Sequence, residues 1–333
     1  MTMPMGVLAV GIATMVVFGY LVIIWWMDRY EREPFWLVLV TFLWGGLGGT
    51  FLGCVLSLMM SVPLMFVVPE IYMDLYTAVV VAPLAEEFTK GLIFLVLILT
   101  PYVDNETDGL IYGAATGLGF AAVENLLYFV ATAMADPEAL MYVIVARTMF
   151  TALVHTISSA LLGFTIGYVR HRRLWPRLWL LPILGFVLAV ANHALWNLVA
   201  VVSGSGLIDG EVGALGIGIA LVVVMSLVMF GITQLSLFRE HKIIEKYLSE
   251  EAGQGVLPQD HAAVIPYWRK RRRGDWLSPS IPRDAYVQAA TMLAFRLYQL
   301  ETSAPAYRTK YQGDVERYRQ EVRGYLQEAN RFR

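Results

Sequence analysis

The chain has 333 residues, of which 57% are hydrophobic and 16% charged, and its mean hydropathy is +0.58. These values exclude an ordinary soluble domain and mark an integral membrane protein. A single cysteine, Cys54, excludes an intramolecular disulfide and a cysteine-based metal site. The formal net charge of −2 hides an asymmetry: residues 239–333 hold 17 of the 25 Lys+Arg and 12 of the 27 Asp+Glu, about +5, which leaves about −7 on the first 238 residues.

Seven apolar stretches are long enough, at about 1.5 Å per residue, to cross a hydrocarbon core of roughly 30 Å. In chain order they cover 4–26, 35–58, 75–99, 109–134, 140–169, 178–202 and 213–238. The first lacks a basic leader and is too long for a cleaved signal, so it reads as a retained span. Turn-rich connections separate the spans: MDRYEREP, a segment from Pro63 to Asp74, PYVDNETD, a tip at Asp136-Pro137, RHRRLWPR and a Gly/Ser-rich loop at 203–212. Outside the spans the basic residues before position 239 are Arg29, Arg32, Arg170, Arg172, Arg173 and Arg177, all in loops on one side. The excess of positive charge on cytoplasmic loops then places the N-terminus outside and the C-terminus inside.

The expectation is therefore an all-α, polytopic bundle of about seven transmembrane helices in the cell (plasma) membrane, residues 1–238, with a basic, helical cytoplasmic tail at 239–333. In the tail, residues 284–301 and 311–331 read as helices, the first with Tyr286, Ala289, Ala290, Leu293, Leu297 and Leu300 near helical spacing. The run Arg269 to Arg273 reads as a solvated or anionic-lipid-facing patch, not as a nucleic-acid site.

Four consecutive spans, within 75–202, carry ionisable or strongly polar residues near mid-length. They are Glu86, Glu87 and Lys90; Glu124 and Asn125; Arg147, Thr151, His155 and Ser159; and Asn192, His193 and Asn197. Measured from each span's cytoplasmic end, Glu87, Glu124, His155 and His193 all lie roughly 18 to 22 Å deep. Residues four apart share a helix face, which pairs Glu86 with Lys90, Phe120 with Glu124, His155 with Thr151 and Ser159, and His193 with Asn197. Lys90 is expected to pair with Glu86, and Arg147 to serve as counter-charge to one of the glutamates. Gly113, Ala114, Gly117 and Ala121 allow close approach of neighbouring helices.

Charges at bilayer depth persist where they face a protein interior or a wet cavity. Carboxylates, imidazoles and amide donors in such a cleft suit hydrolysis: a glutamate can deprotonate water, a histidine or asparagine can donate to an oxyanion, and His and Glu can instead hold zinc. A lone intramembrane His or Asn also serves as an interhelical hydrogen bond, and a double glutamate as a proton or cation site. A proton- or cation-coupled transporter and a non-catalytic membrane scaffold are the alternative readings. HExxH, GxSxG and a pair of intramembrane aspartates are all absent from the sequence.

These residues resemble a known family, the PrsW-type intramembrane proteases, related to the CAAX prenyl protease and bacteriocin-processing group. The resemblance rests on EExxK (Glu86, Glu87, Lys90), FxxxEN (Phe120, Glu124, Asn125), HxxxS (His155, Ser159) and HxxxN (His193, Asn197), with MDRYEREP as the early loop, over about residues 20–200. The CAAX branch carries EExxxR and FxxxH instead. The resemblance implies an endopeptidase making a first cut in a single-pass membrane substrate, such as an anti-sigma factor. Within it, Glu86, assisted or replaced by Glu87, activates water; Glu124 and His155 shape the water or metal site; His193 and Asn197 stabilise the oxyanion or complete the ligands. A zinc ion on Glu124, His155 and His193 and a metal-independent glutamate mechanism are both compatible with the family.

Overall fold

The computed structural model describes residues 3–170, 180–204 and 211–331, and among them every regular element is helical. Most of RHRRLWPR and part of the Gly/Ser-rich loop lie outside the described residues. Two compact units emerge. The first holds residues up to Met27, Glu33–Arg170 and the chain onward to Gly231; the second holds Asp28–Arg32 and Ile232–Arg333.

In the first unit, six helices among the described residues are long and apolar enough to cross a membrane, one of them running on into the second: Gly6–Met27, Phe35–Leu64, Glu106–Ala135, Leu140–Val169, Leu180–Ser203 and Gly216–Gly253. The seventh expected span, 75–99, is not among them. It is built from short pieces, Glu70–Tyr76, a π turn at Thr77–Val81, Ala82–Gly91 and Ile93–Leu97. The reason is local. Pro83 lies just inside the third piece and has no N–H, and Glu86, Glu87 and Lys90 interrupt the apolar run.

Two further π turns, Trp44–Gly49 and Arg147–Thr151, interrupt Phe35–Leu64 and Leu140–Val169. Such turns carry one extra residue, re-aim the side chains that follow, and are frequent at functional sites. The helix Glu106–Ala135 begins three residues before the expected 109. A capping box starts it: Asn105 Oδ1 accepts from the N–H of Thr107 (2.7 Å) and Asp108 (3.1 Å), and Asp108 Oδ2 accepts from Asn105 N–H at 3.0 Å.

That helix is the axis of the unit, buried over most of its first half. A stripe of glycines lets Ala152–Val169 lie directly against it. A Cβ on Gly109, Gly113 or Gly117 would overlap the carbonyl oxygens of Gly163, Ser159 and His155 respectively. On its other side, a Cβ on Gly119 would overlap the Phe42 carbonyl. In a bilayer, where apolar burial drives no association between helices, this close packing is the source of cohesion. Arg170, just past Val169, donates to the carbonyls of Ile98 (2.7 Å), Thr100 and Val103, which ties down the end of the short-piece segment.

The second unit has a hydrophobic core of its own, with Ile244, Leu248, Tyr286, Ala290, Leu293 and Val322 fully buried. The expected tail helices are Arg283–Thr302 and Pro305–Arg331. Arg319 makes two hydrogen bonds to the Glu251 carboxylate, at 2.7 and 2.5 Å. Within the basic run, Arg271 lies over the Tyr30 ring (5.3 Å) and donates to the Arg29 carbonyl, so this member is engaged with protein.

Candidate active site

The polar residues of four successive segments converge in the first unit. Glu87 is their centre and is fully buried. Its Oε1 lies 2.6 Å from Lys90 Nζ and 3.0 Å from His193 Nδ1, and its Oε2 accepts from Ser159 Oγ at 3.2 Å. The expected Glu86–Lys90 pair is therefore corrected: Lys90 pairs with Glu87, three residues away. Glu87 and Lys90 are both buried in Ala82–Gly91, while the Glu86 carboxylate is turned toward His193 instead.

Lys90 also reaches His155 Nδ1 at 2.9 Å and sits 4.1 Å above the Phe120 ring. An ammonium only donates, so Nδ1 of His155 accepts and the ring proton falls on Nε2. That nitrogen faces Glu124 Oε2 at 2.9 Å. The same oxygen takes Arg147 at 2.6 Å, while Arg147 Nε donates to Asn125 Oδ1 (3.0 Å) and Asn125 Nδ2 donates to the Arg147 carbonyl (3.2 Å). Arg147 is thus the counter-charge to Glu124.

His193 is held the opposite way round. With Glu87 as acceptor its Nδ1 donates, and Nε2 carries the lone pair. Nε2 is 3.8 Å from Glu86 Oε2, an oxygen that is buried and has no hydrogen-bond partner. The His155 and His193 rings meet edge to face, 4.5 Å apart. Ligand atoms of Glu86, His155 and His193 all lie within 4.8 Å of one another.

This donor set fits a divalent ion that takes nitrogen and oxygen ligands. The unpartnered Glu86 Oε2 and the lone pair of His193 Nε2 offer themselves as they stand, and the Glu87–His193 contact is the outer-shell carboxylate such a histidine usually has. His155 would join only by shifting its ring proton from Nε2 to Nδ1, which breaks the contact with Lys90 and the one with Glu124. Glu124, expected in the ligand set, is instead engaged by Arg147 and His155, and Glu86 takes its place in the grouping.

The structure does not bring Asn197 into the cluster. Its Nδ2 donates to the Ala78 carbonyl at 2.8 Å. Asn192 likewise serves packing, donating to Ser158 Oγ at 2.8 Å. Tyr128 was missed by sequence reasoning: Arg147 lies over its ring at 3.6 Å. Its position four residues after Glu124 was the available signal. A cavity of about 660 Å³ opens beside this pair, lined among others by Tyr142, Phe150, Thr151 and Trp196.

The model of the PrsW family intramembrane metalloproteases matches residues 33–232, more than half of the chain. The chain belongs to this family. Proteins named Protease PrsW are similar to it. The one from Clostridioides difficile (strain 630) is 40% identical over 103 residues, 30% of this chain and 42% of that protein. Those from Geobacillus kaustophilus (strain HTA426) and Oceanobacillus iheyensis are 29% and 24% identical, covering 48% and 50% of this chain and 67% and 71% of their own lengths. The matched stretch thus spans between under half and about two thirds of these PrsW relatives. No solved structure gives a significant match. The family match covers all four polar segments.

Proposed function

We propose that this multi-pass membrane protein hydrolyses a peptide bond in a membrane-anchored substrate, with Glu86 as the residue that activates water. One observation carries the reading: of two adjacent buried glutamates, Glu87 has its oxygens engaged by Lys90, His193 and Ser159, whereas Glu86 keeps a buried oxygen without a partner, facing two imidazoles. A general base must be able to take a proton, and only Glu86 has the vacant acceptor. Glu87 orients His193 and Lys90; His155, as an Nε2–H donor, and Arg147 fix Glu124. In the alternative chemistry a zinc ion held by that Glu86 oxygen, His193 and His155 would activate the water in place of the glutamate, by Lewis-acid polarisation.

The substrate is a single-pass protein of the plasma membrane, cut first on the outer side in a regulated cascade of the anti-sigma-factor type, with the apolar stretch beside the scissile bond lying in the cavity of Tyr142, Phe150 and Trp196. Unwound backbone is tolerated at bilayer depth only in such a protein-lined space. The basic tail faces anionic lipid at the cytoplasmic surface.

Mass-spectrometric mapping of new protein termini, in membranes with equal amounts of wild type or Glu86→Gln, tests this. Termini confined to the wild type and clustered at the outer edge of a single-pass segment support it; identical terminus sets overturn it.

A further inference from the structure

The π turn Thr77–Val81 and Pro83 together strand one backbone oxygen. In an α-helix the Ala78 carbonyl would accept from Ala82 N–H, but here that N–H goes to Thr77 O. The next donor along the chain belongs to residue 83, which is proline and has none. Ala78 O is therefore without a donor from its own helix, and at bilayer depth an unsatisfied carbonyl is among the costliest features a segment can carry. Asn197 supplies the missing donor through Nδ2, at 2.8 Å.

We infer that Asn197 is a positioning residue: it completes the broken turn that starts the helix bearing Glu86 and Glu87, and does not itself touch the reacting atoms. The two glutamates follow Pro83 by three and four residues, so the way this turn closes sets where their carboxylates stand. Asn197 shares a helix face with His193, whose Nδ1 holds Glu87 at 3.0 Å. Helix Leu180–Gly204 thus grips the glutamate segment at two points one turn apart, at its start through Asn197 and at its functional residue through His193. The inference rests on the proteolytic reading for its kinetic consequence and on the hydrogen bond alone for its structural one.

The distinguishing experiment restores the donor from the other side. Asn197→Leu removes the amide, and Pro83→Ala gives residue 83 an N–H, so that the segment can close as an ordinary helix. In the full-length protein in detergent, Asn197→Leu is expected to lower Tm and to reduce kcat per folded chain by about 100-fold, the scale of a small misplacement of reacting groups, with KM little changed. Pro83→Ala/Asn197→Leu is expected to recover Tm and to bring kcat to within about tenfold of Pro83→Ala alone. The kinetics use the substrate identified by terminus mapping.

Loss of kcat without loss of Tm, and without recovery in the double variant, would make Asn197 a donor to the reacting oxygen and overturn the inference. Lower Tm with unchanged kcat per folded chain would overturn the positioning role as well. If wild type cleaves nothing, the proteolytic reading falls and the positioning role with it, while recovery or non-recovery of Tm still decides the Ala78 hydrogen bond.

Discussion

The ammonium of Lys90 stands 2.6 Å from the carboxylate of Glu87, and solvent reaches neither side chain. Removing one member of a buried pair leaves an uncompensated charge and costs about 3 to 5 kcal/mol, while replacing both costs far less. Lys90→Met is therefore expected to lower the stability of the detergent-solubilised protein by about 3 kcal/mol, and Glu87→Gln/Lys90→Met to regain most of it. After chelation, Glu86→Gln should leave Tm close to that of the likewise chelated wild type, because its Oε2 has no hydrogen bond to lose. Thermal unfolding of the four proteins checks this. Equal losses for Glu86→Gln and Lys90→Met would contradict the division of roles within the double glutamate.

The contact of Gly117 with the His155 backbone ties packing directly to the site. A Cβ there would overlap the His155 carbonyl, whereas one on Gly11 meets nothing within 4 Å. Gly117→Val is expected to destabilise the protein by about 2 kcal/mol or more and to abolish cleavage, since His155 moves with its helix. Gly11→Ala should change neither, within about 0.5 kcal/mol. Tm and terminus formation, compared across the two variants, decide it.

Most of this architecture was legible in the sequence because lipid imposes a simple code. Long apolar runs fixed the six long helices to within a few residues at most ends, and the polar residues at one depth pointed to a shared cleft. The code failed where side-chain direction and backbone irregularity decide. The i,i+4 rule paired Lys90 with Glu86, but the helix directs Lys90 onto Glu87 and His155. HxxxN spacing grouped Asn197 with His193, yet the π turn that strands Ala78 O draws the amide away, and no residue pattern announces a π turn. Span 75–99 was read by hydropathy alone, although Pro83 within it was the visible sign of a break. Glu124 was placed among the ligands through the family resemblance; the guanidinium of Arg147, from another turn of this kind, pairs with it.

Asp28, in the second unit and beyond the end of the first span, gives a pH signature. It is 2% exposed, and its Oδ1 accepts from the N–H of Tyr30 (3.1 Å) and Glu31 (3.2 Å). Burial pushes its carboxyl up from 3.8 to about 7, against the pull of those N–H groups and of Arg32 and Arg271. The folded state then binds this proton more tightly than the unfolded chain does. Its contribution to stability is complete below about pH 4 and is lost as pH rises through about 7. Between pH 5 and 8 the wild type is expected to lose a few degrees of Tm relative to Asp28→Asn, which keeps an acceptor oxygen but has no charge to bury. A constant difference between the two proteins across this range would show that Asp28 does not titrate there.

Metal content separates the two chemistries open to this family. His193 presents Nε2 toward Glu86 while Glu87 holds its other nitrogen, whereas Nε2 of His155 faces Glu124. His193 is therefore the ligand least in need of rearrangement, and zinc is expected at about one ion per chain in the purified protein. His193→Ala should lose it, since removing a direct ligand is more severe than the roughly 10- to 100-fold affinity loss typical of an outer-shell change. Ser159→Ala, which removes only a contact to Glu87, should retain most of the metal. Elemental analysis of the three proteins, with Tm measured before and after chelation, reads this without any substrate, because an ion bound to the folded state raises Tm. A metal-free wild type that still produces its termini would assign the water activation to Glu86 alone.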